Sequence, residues 1–287
     1  MNDIWLIIDT DYLCHRARWS MRDLSWKGAA TGTIYGVLQT ALQLQERFQT
    51  DKVAFCFDSH VSKRQEIYPA YKANRKNRQP LTAEEERFEK EFRRQVIKLR
   101  KEYLPEIGFR NIFWQSGYES DDLIARLAID FTISQCFPKG THYEGVIVSA
   151  DHDLYQCITG HVRFFDFKGT MTLQRFKQEF GLIPSQWAVV KSIAGCSTDN
   201  VQGIKGVGEK TAVKYLRGLL KPTSKAFRAI EAGKDIIKRN EKLTRLPLHG
   251  VGIPKLRKNQ VTSAGWDSVC RKLGFKSLRG KLPRMEI

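Results

Sequence analysis

Eight carboxylates stand where short apolar runs give out. Asp9 and Asp11 follow Ile4–Ile8, Asp58 follows Val53–Phe57, Glu119, Asp121 and Asp122 come after Asn111–Trp114, and Asp151 and Asp153 follow Gly145–Val148. Like charges brought together raise one another's pKa, and they do not all stay ionised unless a cation intervenes. Hard divalent cations with oxygen ligands suit such a set, Mg²⁺ or Mn²⁺ above all where histidines are few. Two such ions about 4 Å apart can activate a water and stabilise the leaving oxygen of a phosphodiester. A single strand-end Asp reads better as a helix cap. Acids at four strand ends together point to a metal site.

The elements that position these acids follow from the apolar pattern. Ile34–Phe48 and Asp122–Ser134 carry apolar residues at helical spacing between the four strand candidates. That alternation predicts right-handed βαβ crossovers and a parallel, doubly wound sheet. Ligands bind such a sheet outside the carboxyl ends of its strands, so the acids are expected on one edge. Residues 60–101 interrupt the alternation with 13 Lys/Arg, 6 Glu and few aliphatics before Phe88. No core strand fits there. From Thr82 onward, Thr82-Ala83-Glu84-Glu85 has the form of a capping box and predicts a charged, exposed helix. After Asp199 a Gly-rich stretch introduces a compact helical unit over about Gly203–Leu220, followed by helices broken at Pro247, Pro254 and Pro283.

At 287 residues the chain can bury one sizeable core with an appended unit. Its 48 Lys/Arg against 31 Asp/Glu give a net charge of +17, which calls for a polyanionic partner. The charge is unevenly spread. From Gly203 to the end there are 21 basic and 6 acidic residues, whereas Glu102 to Gln202 holds 8 basic and 12 acidic. Nucleic acid suits the first region, and something cationic must sit in the second. The six cysteines form no C-x-x-C pair, which argues against a zinc site or disulfide framework and for free thiols in a reducing cytosol. There is no long apolar run, so a soluble, intracellular protein with no membrane partner is expected.

The strings themselves are specific. Ile8-Asp9-Thr10-Asp11-Tyr12-Leu13, Phe57-Asp58, Gly117-Tyr118-Glu119-Ser120-Asp121-Asp122 and Ser149-Ala150-Asp151-His152-Asp153-Leu154-Tyr155-Gln156 resemble, in order, the metal-site motifs of the 5′-nuclease family. That family includes flap endonucleases, phage 5′-3′ exonucleases and the N-terminal nuclease domain of bacterial DNA polymerase I. The resemblance runs from about residue 4 to 220. It implies an α/β fold: a PIN-like parallel-sheet nuclease core over residues 1–180, with a helical arch at about 60–103, then a helical DNA-binding region over 181–287 with a helix–hairpin–helix at about 203–220. It further implies one metal held mainly by Asp9, Asp58, Glu119 and Asp121 with Asp122 close by, and a second nearer Asp151, Asp153 and Asp199.

Tyr68-Pro69-Ala70-Tyr71-Lys72-Ala73-Asn74-Arg75 resembles the segment at the base of the family's arch. On a helix, Lys72 and Arg75 would share a face and neutralise charge on the scissile phosphate, while Tyr71 stacks on the terminal base. Arg64 is expected to contact phosphate without taking part in the chemistry. Gly203-Ile204-Lys205-Gly206-Val207-Gly208-Glu209-Lys210-Thr211-Ala212 is similar to the family's helix–hairpin–helix. Gly203, Gly206, Gly208, Lys210 and Thr211 would bring amides and a cation to DNA phosphate, with K⁺ a candidate on the loop carbonyls. A P-loop reading fails because Glu209 stands between Gly208 and Lys210.

Two departures qualify the resemblance. Cys196, in Gly195-Cys196-Ser197-Thr198-Asp199-Asn200, stands where the family usually has Asp, and a soft thiol is a poor ligand for Mg²⁺. Thr10 replaces the usual glycine, and Asp11 adds a carboxylate. The implied activity is a monomeric 5′-3′ exonuclease or flap endonuclease acting on 5′-flap, branched or 5′-ended DNA, an RNA/DNA hybrid being a further candidate, in the cytoplasm of a bacterial or phage-infected cell. The rivals are a DNA-binding relative with a disabled second metal site, favoured by Cys196, and a PIN-type ribonuclease.

Overall fold

The computed structural model describes residues 3–75, 81–133 and 143–285. Each strand candidate overlaps an observed strand, β1 (Asp3–Asp9), β2 (Lys52–Cys56), β3 (Ile112–Phe113) and β4 (Tyr143–Val148), with β3 shorter than its candidate by one residue at each end. Two further strands of the same sheet escaped the sequence reading, β5 (Val162–Phe165) and β6 (Thr170–Met171). They are short, and Arg163 interrupts the apolar run by pairing with Glu144. The sheet order is β3-β2-β1-β4-β5-β6, parallel throughout except for the β5–β6 pair. β1 lies at the centre, with Ile7 opposite Ala54 on one side and Ile147 on the other. Leu6, Ile7 and Ile8 are fully buried, as a strand covered on both faces requires.

Helices α1 (Thr10–Ser20) and α2 (Gly32–Phe48) cover one face; α4 (Ser120–Ile133) covers the other. Between them in sequence, α3 (Ala83–Lys98) begins with the expected capping box, Thr82 and Glu85 bonding reciprocally. It is only partly the exposed helix expected. Phe92 is buried, with its ring 4.8 Å from that of His15, and Glu89 reaches Arg18 at 2.6 Å. Residues 76–80 of the expected arch lie outside the described residues, as does Ser134.

The second half adds α5 (Trp187–Ala194), α6 (Glu209–Leu216), α7 (Lys234–Thr244) and α8 (Ser263–Lys272). No helix occurs between Thr244 and Ser263, where Pro247 and Pro254 stand. These helices share the sheet's cores. Leu182, Trp187 and Ile193 join Phe164, Phe176 and Ile147 on one face, while Trp266, Val269 and Phe275 join Leu6, Ile8 and Val37 on the other. The segment before α8 also laces the edge of the sheet. Asn111 exchanges hydrogen bonds with the backbone of Arg257, and Asn259 accepts from the Arg110 amide at 2.9 Å. The Gln260 amide donates to the Gly108 carbonyl at 2.8 Å, so close that a Cβ on Gly108 would lie 1.9 Å from the Gln260 oxygen. Among the described residues no helix is long and apolar enough to cross a membrane.

Candidate metal centre

A cleft of about 1000 Å³ opens across the carboxyl ends of β1, β2 and β4, and Asp9, Asp11, Asp58, Glu119, Asp121, Asp151, Asp153 and Asp199 line it. Asp9 ends β1 and caps α1, accepting from the Tyr12 amide at 3.1 Å. The Ser149 and Ser120 hydroxyls fix its two oxygens at 2.8 and 3.3 Å. Burial, and then the nearby Asp58, push its pKa up to about 7. Asp11 accepts from the Asp58 amide at 2.7 Å, and Asp58 from the Ser120 amide at 2.7 Å. Burial lifts Asp11 well above the usual carboxylate range, and burial with Asp151, Asp9 and Asp58 does the same to Asp121. Asp151 caps the 3₁₀ turn His152–Cys157 and stays open to the cleft.

Elsewhere in the cleft, cations from the chain meet the acids. Lys72 Nζ is 2.8 Å from Glu119, Arg75 is 2.8 Å from Asp199, and Lys191 is 2.8 Å from Asp153. Burial alone would raise Glu119, but Lys72 and Arg64 outweigh it and hold the group below its ordinary value. Asp153 is raised to about 6 by burial and Asp151, with Lys191 opposing. Among the described residues no three His, Cys, Asp or Glu side chains are arranged to hold a metal ion as they stand.

Several expected roles need correction. Asp122 faces away from the cleft chemistry: fully buried, it takes both guanidinium nitrogens of Arg64 at 2.7 Å and the Leu248 amide at 2.8 Å. It has no room for a metal. Arg64, 2% exposed and also bonded to the Leu243 carbonyl, cannot reach a DNA phosphate. Tyr71 is 4% exposed, with its hydroxyl 3.0 Å from Glu119 and 3.4 Å from Asp199, so its ring offers no face to a base. Lys72 and Arg75 are not on an α-helix. Lys72 has φ +55° and Ala73–Arg75 form one 3₁₀ turn, yet both cations converge on Asp199, at 3.8 and 2.8 Å.

Asp199 sits in the turn between two short antiparallel strands, Gly195–Cys196 and Val201–Gln202. Cys196 lines the cleft with its sulfur 3.0 Å from the Thr198 hydroxyl, and burial pushes the thiol up, so it stays protonated. In the glycine turn before α6, a Cβ on Gly206 (φ +77°) or Gly208 would meet nothing within 4 Å, and Lys210 is exposed. Gly203 differs: a Cβ there would lie 2.2 Å from the Ala194 carbonyl, so its role is packing. Thr211 is part-buried, and its amide is spent on the Gly208 carbonyl at 3.0 Å. The sequence reading gave no role to Ser120 and Ser149, although both stand inside the acidic strings it quoted. It also missed Lys191, which has no local signal.

A family model described as 5′-3′ exonuclease, N-terminal resolvase-like domain, matches residues 4–181. Thermostable DNA polymerase I of Thermus caldophilus is 33% identical over 215 residues, covering 74% of this chain and 24% of the polymerase. The chain thus spans about a quarter of that relative. T5 5′-exonuclease with bound zinc superposes with a TM-score of 0.69 at 21% identity, covering 85% of this chain and 90% of that one. A bacteriophage T5 flap endonuclease in complex with DNA and metal ions gives 0.69 at 18% identity, covering 98% of each.

Proposed function

Because this chain belongs to the 5′-3′ exonuclease family, we propose that it is a structure-specific 5′-nuclease hydrolysing DNA phosphodiester bonds with two divalent cations, Mg²⁺ or Mn²⁺, in the carboxylate cleft. The observation that carries this reading is the burial of Asp9, Asp11 and Asp121 in one cleft beside further carboxylates: burial first, and then neighbours that include Asp58, raises all three pKa values, and among the described residues no lysine or arginine lies within ion-pair distance of them. The donors are hard oxygens, which fit hard divalent ions. Asp9, Asp58, Glu119 and Asp121 would hold one ion; Asp151, Asp153 and Asp199, with Cys196 alongside, the other. Bound there, the ions would supply a water acidic enough to attack at neutral pH and charge neutralisation at the leaving oxygen.

The remaining steps belong to this chain's own side chains. The Lys72 ammonium and Arg75 guanidinium, held on Glu119 and Asp199, would turn from carboxylate to the scissile phosphate and stabilise its developing charge. Tyr71 keeps Glu119 oriented through its hydroxyl. Duplex DNA is gripped by the basic region over 181–287, with the turn at Gly206 and Gly208, Lys210, and the start of α6 taking backbone phosphate and K⁺ able to sit on the turn's carbonyls. Contacts of this kind read shape and weaken steeply with salt. Likeness to a T5 flap endonuclease that binds DNA and metal ions supports the same partner here. We place the protein as a monomer in the cytoplasm of a bacterial or phage-infected cell, acting on 5′-flap or 5′-ended DNA.

The test is cleavage of a 5′-end-labelled DNA flap in Mg²⁺, Mn²⁺ or EDTA, with an RNA flap beside it. Metal-dependent cutting of DNA near the junction is expected. Tight flap binding without cleavage in any metal would overturn the enzyme reading and leave a DNA-binding relative whose protonated Cys196 spoils the second site. Preferential cutting of RNA would make it a ribonuclease.

A further inference from the structure

Lys191 touches both halves of the proposed machinery. It stands on α5, which packs against the 3₁₀ turn His152–Cys157 on one side and α6 on the other. Its ammonium lies 2.8 Å from Asp153 Oδ1 and 2.7 Å from Glu209 Oε1, with the lysine side chain only 12% exposed. Asp153 belongs to the cleft; Glu209 is the first residue of α6, directly after the Gly206–Gly208 turn. One buried charge is therefore shared between a cleft carboxylate and the end of the helix assigned to DNA phosphate.

We propose that Lys191 is a positioning residue that couples duplex docking at the start of α6 to the release of Asp153 for metal. The inference rests on the nuclease reading above. An acid at the first position of a helix is favourable to the helix dipole but unfavourable to an incoming phosphate. Docked phosphate adds negative charge beside Glu209, draws the ammonium toward that end, and loosens its hold on Asp153. The freed carboxylate then faces the cleft without its counter-ion. Coupling of this kind is reciprocal, so a divalent ion bound at Asp153 frees the ammonium for the DNA end and strengthens duplex binding in turn.

The experiment measures the Kd of a fluorescent DNA duplex by anisotropy, in EDTA and in Ca²⁺ at constant ionic strength. It compares wild type with Lys191→Met, Glu209→Gln and Lys191→Arg. The ratio of the two Kd values contains the direct effect of the ion on DNA, common to all variants, and the coupling. In wild type the ratio should exceed that of Lys191→Met and of Glu209→Gln by about five-fold or more, the lower range of measured allosteric couplings. Lys191→Arg keeps both ion pairs within reach and should restore the wild-type ratio. Glu209 is 42% exposed on its side chain, so Glu209→Gln folds even where Lys191→Met does not. Equal ratios in wild type and Glu209→Gln overturn the coupling and leave the nuclease reading standing. Failure of wild type to bind duplex at all removes the nuclease reading itself, and the coupling with it.

Discussion

On one side of the cleft Asp9, Asp11 and Asp121 lie buried beside further carboxylates, Asp58 among them, and among the described residues none of the three has a lysine or arginine within ion-pair distance; on the other side Glu119, Asp199 and Asp153 each hold a cation at 2.8 Å. Two buried carboxylates show the contrast. Asp9 is lifted to about 7, whereas Glu119 is held below its ordinary value although both are buried. The unpaired side needs ions from solution. The paired side carries its own, and those ions can later be lent to a substrate phosphate. One cleft thus contains both the demand for metal and a reserve of mobile positive charge.

The comparison can be broken hardest at its foundation. Arg64→Met would leave Asp122 buried and unpaired beneath the paired side, so it should destabilise the fold by about 3–5 kcal/mol in urea unfolding, the range for breaking a buried pair from one partner. A loss under about 1 kcal/mol would mean Asp122 is not the fixed charge described. On the unpaired side, Asp121→Asn should reduce flap cleavage by about 100–1000-fold, as removal of one preorganised electrostatic group at a reacting centre does. The same variant should raise the unfolding temperature in EDTA, because a crowded like charge has gone. A lower unfolding temperature would show that the acids are not in mutual repulsion.

Asp9 and Glu119 should also differ in the sign of their pH dependence. For Asp9 the folded pKa lies above the ordinary value of 3.8, so its contribution to stability is complete below about 3.8 and is lost as pH rises through about 7. Glu119 has a depressed folded pKa, so its contribution is present above the ordinary value of 4.5 and is lost as acid takes pH down through the folded value. Thermal melts in EDTA should therefore show a loss of stability between about pH 4 and 7 that Asp9→Asn flattens and Mg²⁺ abolishes. Melts of Asp9→Asn that track wild type across that range would remove the unpaired side from the account. The smallest effect is expected from Cys196→Asp, which adds an unpaired carboxylate next to Asp199. It should lower the Mg²⁺ concentration for half-maximal cleavage several-fold, and superimposable titrations would show that the thiol lies outside the site.

The sheet and its acidic edge were legible because both are local signals: an apolar run ends, and an acid follows within a few residues. Asp9, Asp58 and Asp151 are of this kind, and the capping box at Thr82 is another. What the sequence hid was pairing. Nothing near Arg64 announces that Asp122 lies 2.7 Å away across 58 residues, or that Lys191 joins Asp153 to Glu209. Lys72 misled for a different reason. Helical spacing was assumed for Lys72 and Arg75, but the chain reverses at Lys72 with φ +55°, and the amide there bonds to the Asp199 carbonyl at 2.8 Å. Gly203 looked like its neighbours Gly206 and Gly208, and only the nearness of Ala194 separates a packing glycine from an open one.

The lacing of residues 257–262 along the sheet edge has a consequence for anyone who handles this protein in pieces. The matched family segment ends at residue 181, and a chain cut there would look like a natural unit. It would lose Asn259 and Gln260 from beside β3, unmasking backbone donors and acceptors at an open strand edge, and it would strip Trp266, Val269 and Phe275 from the face that α1 and α2 share. Such a fragment would gather into aggregates on expression, however complete its catalytic strings.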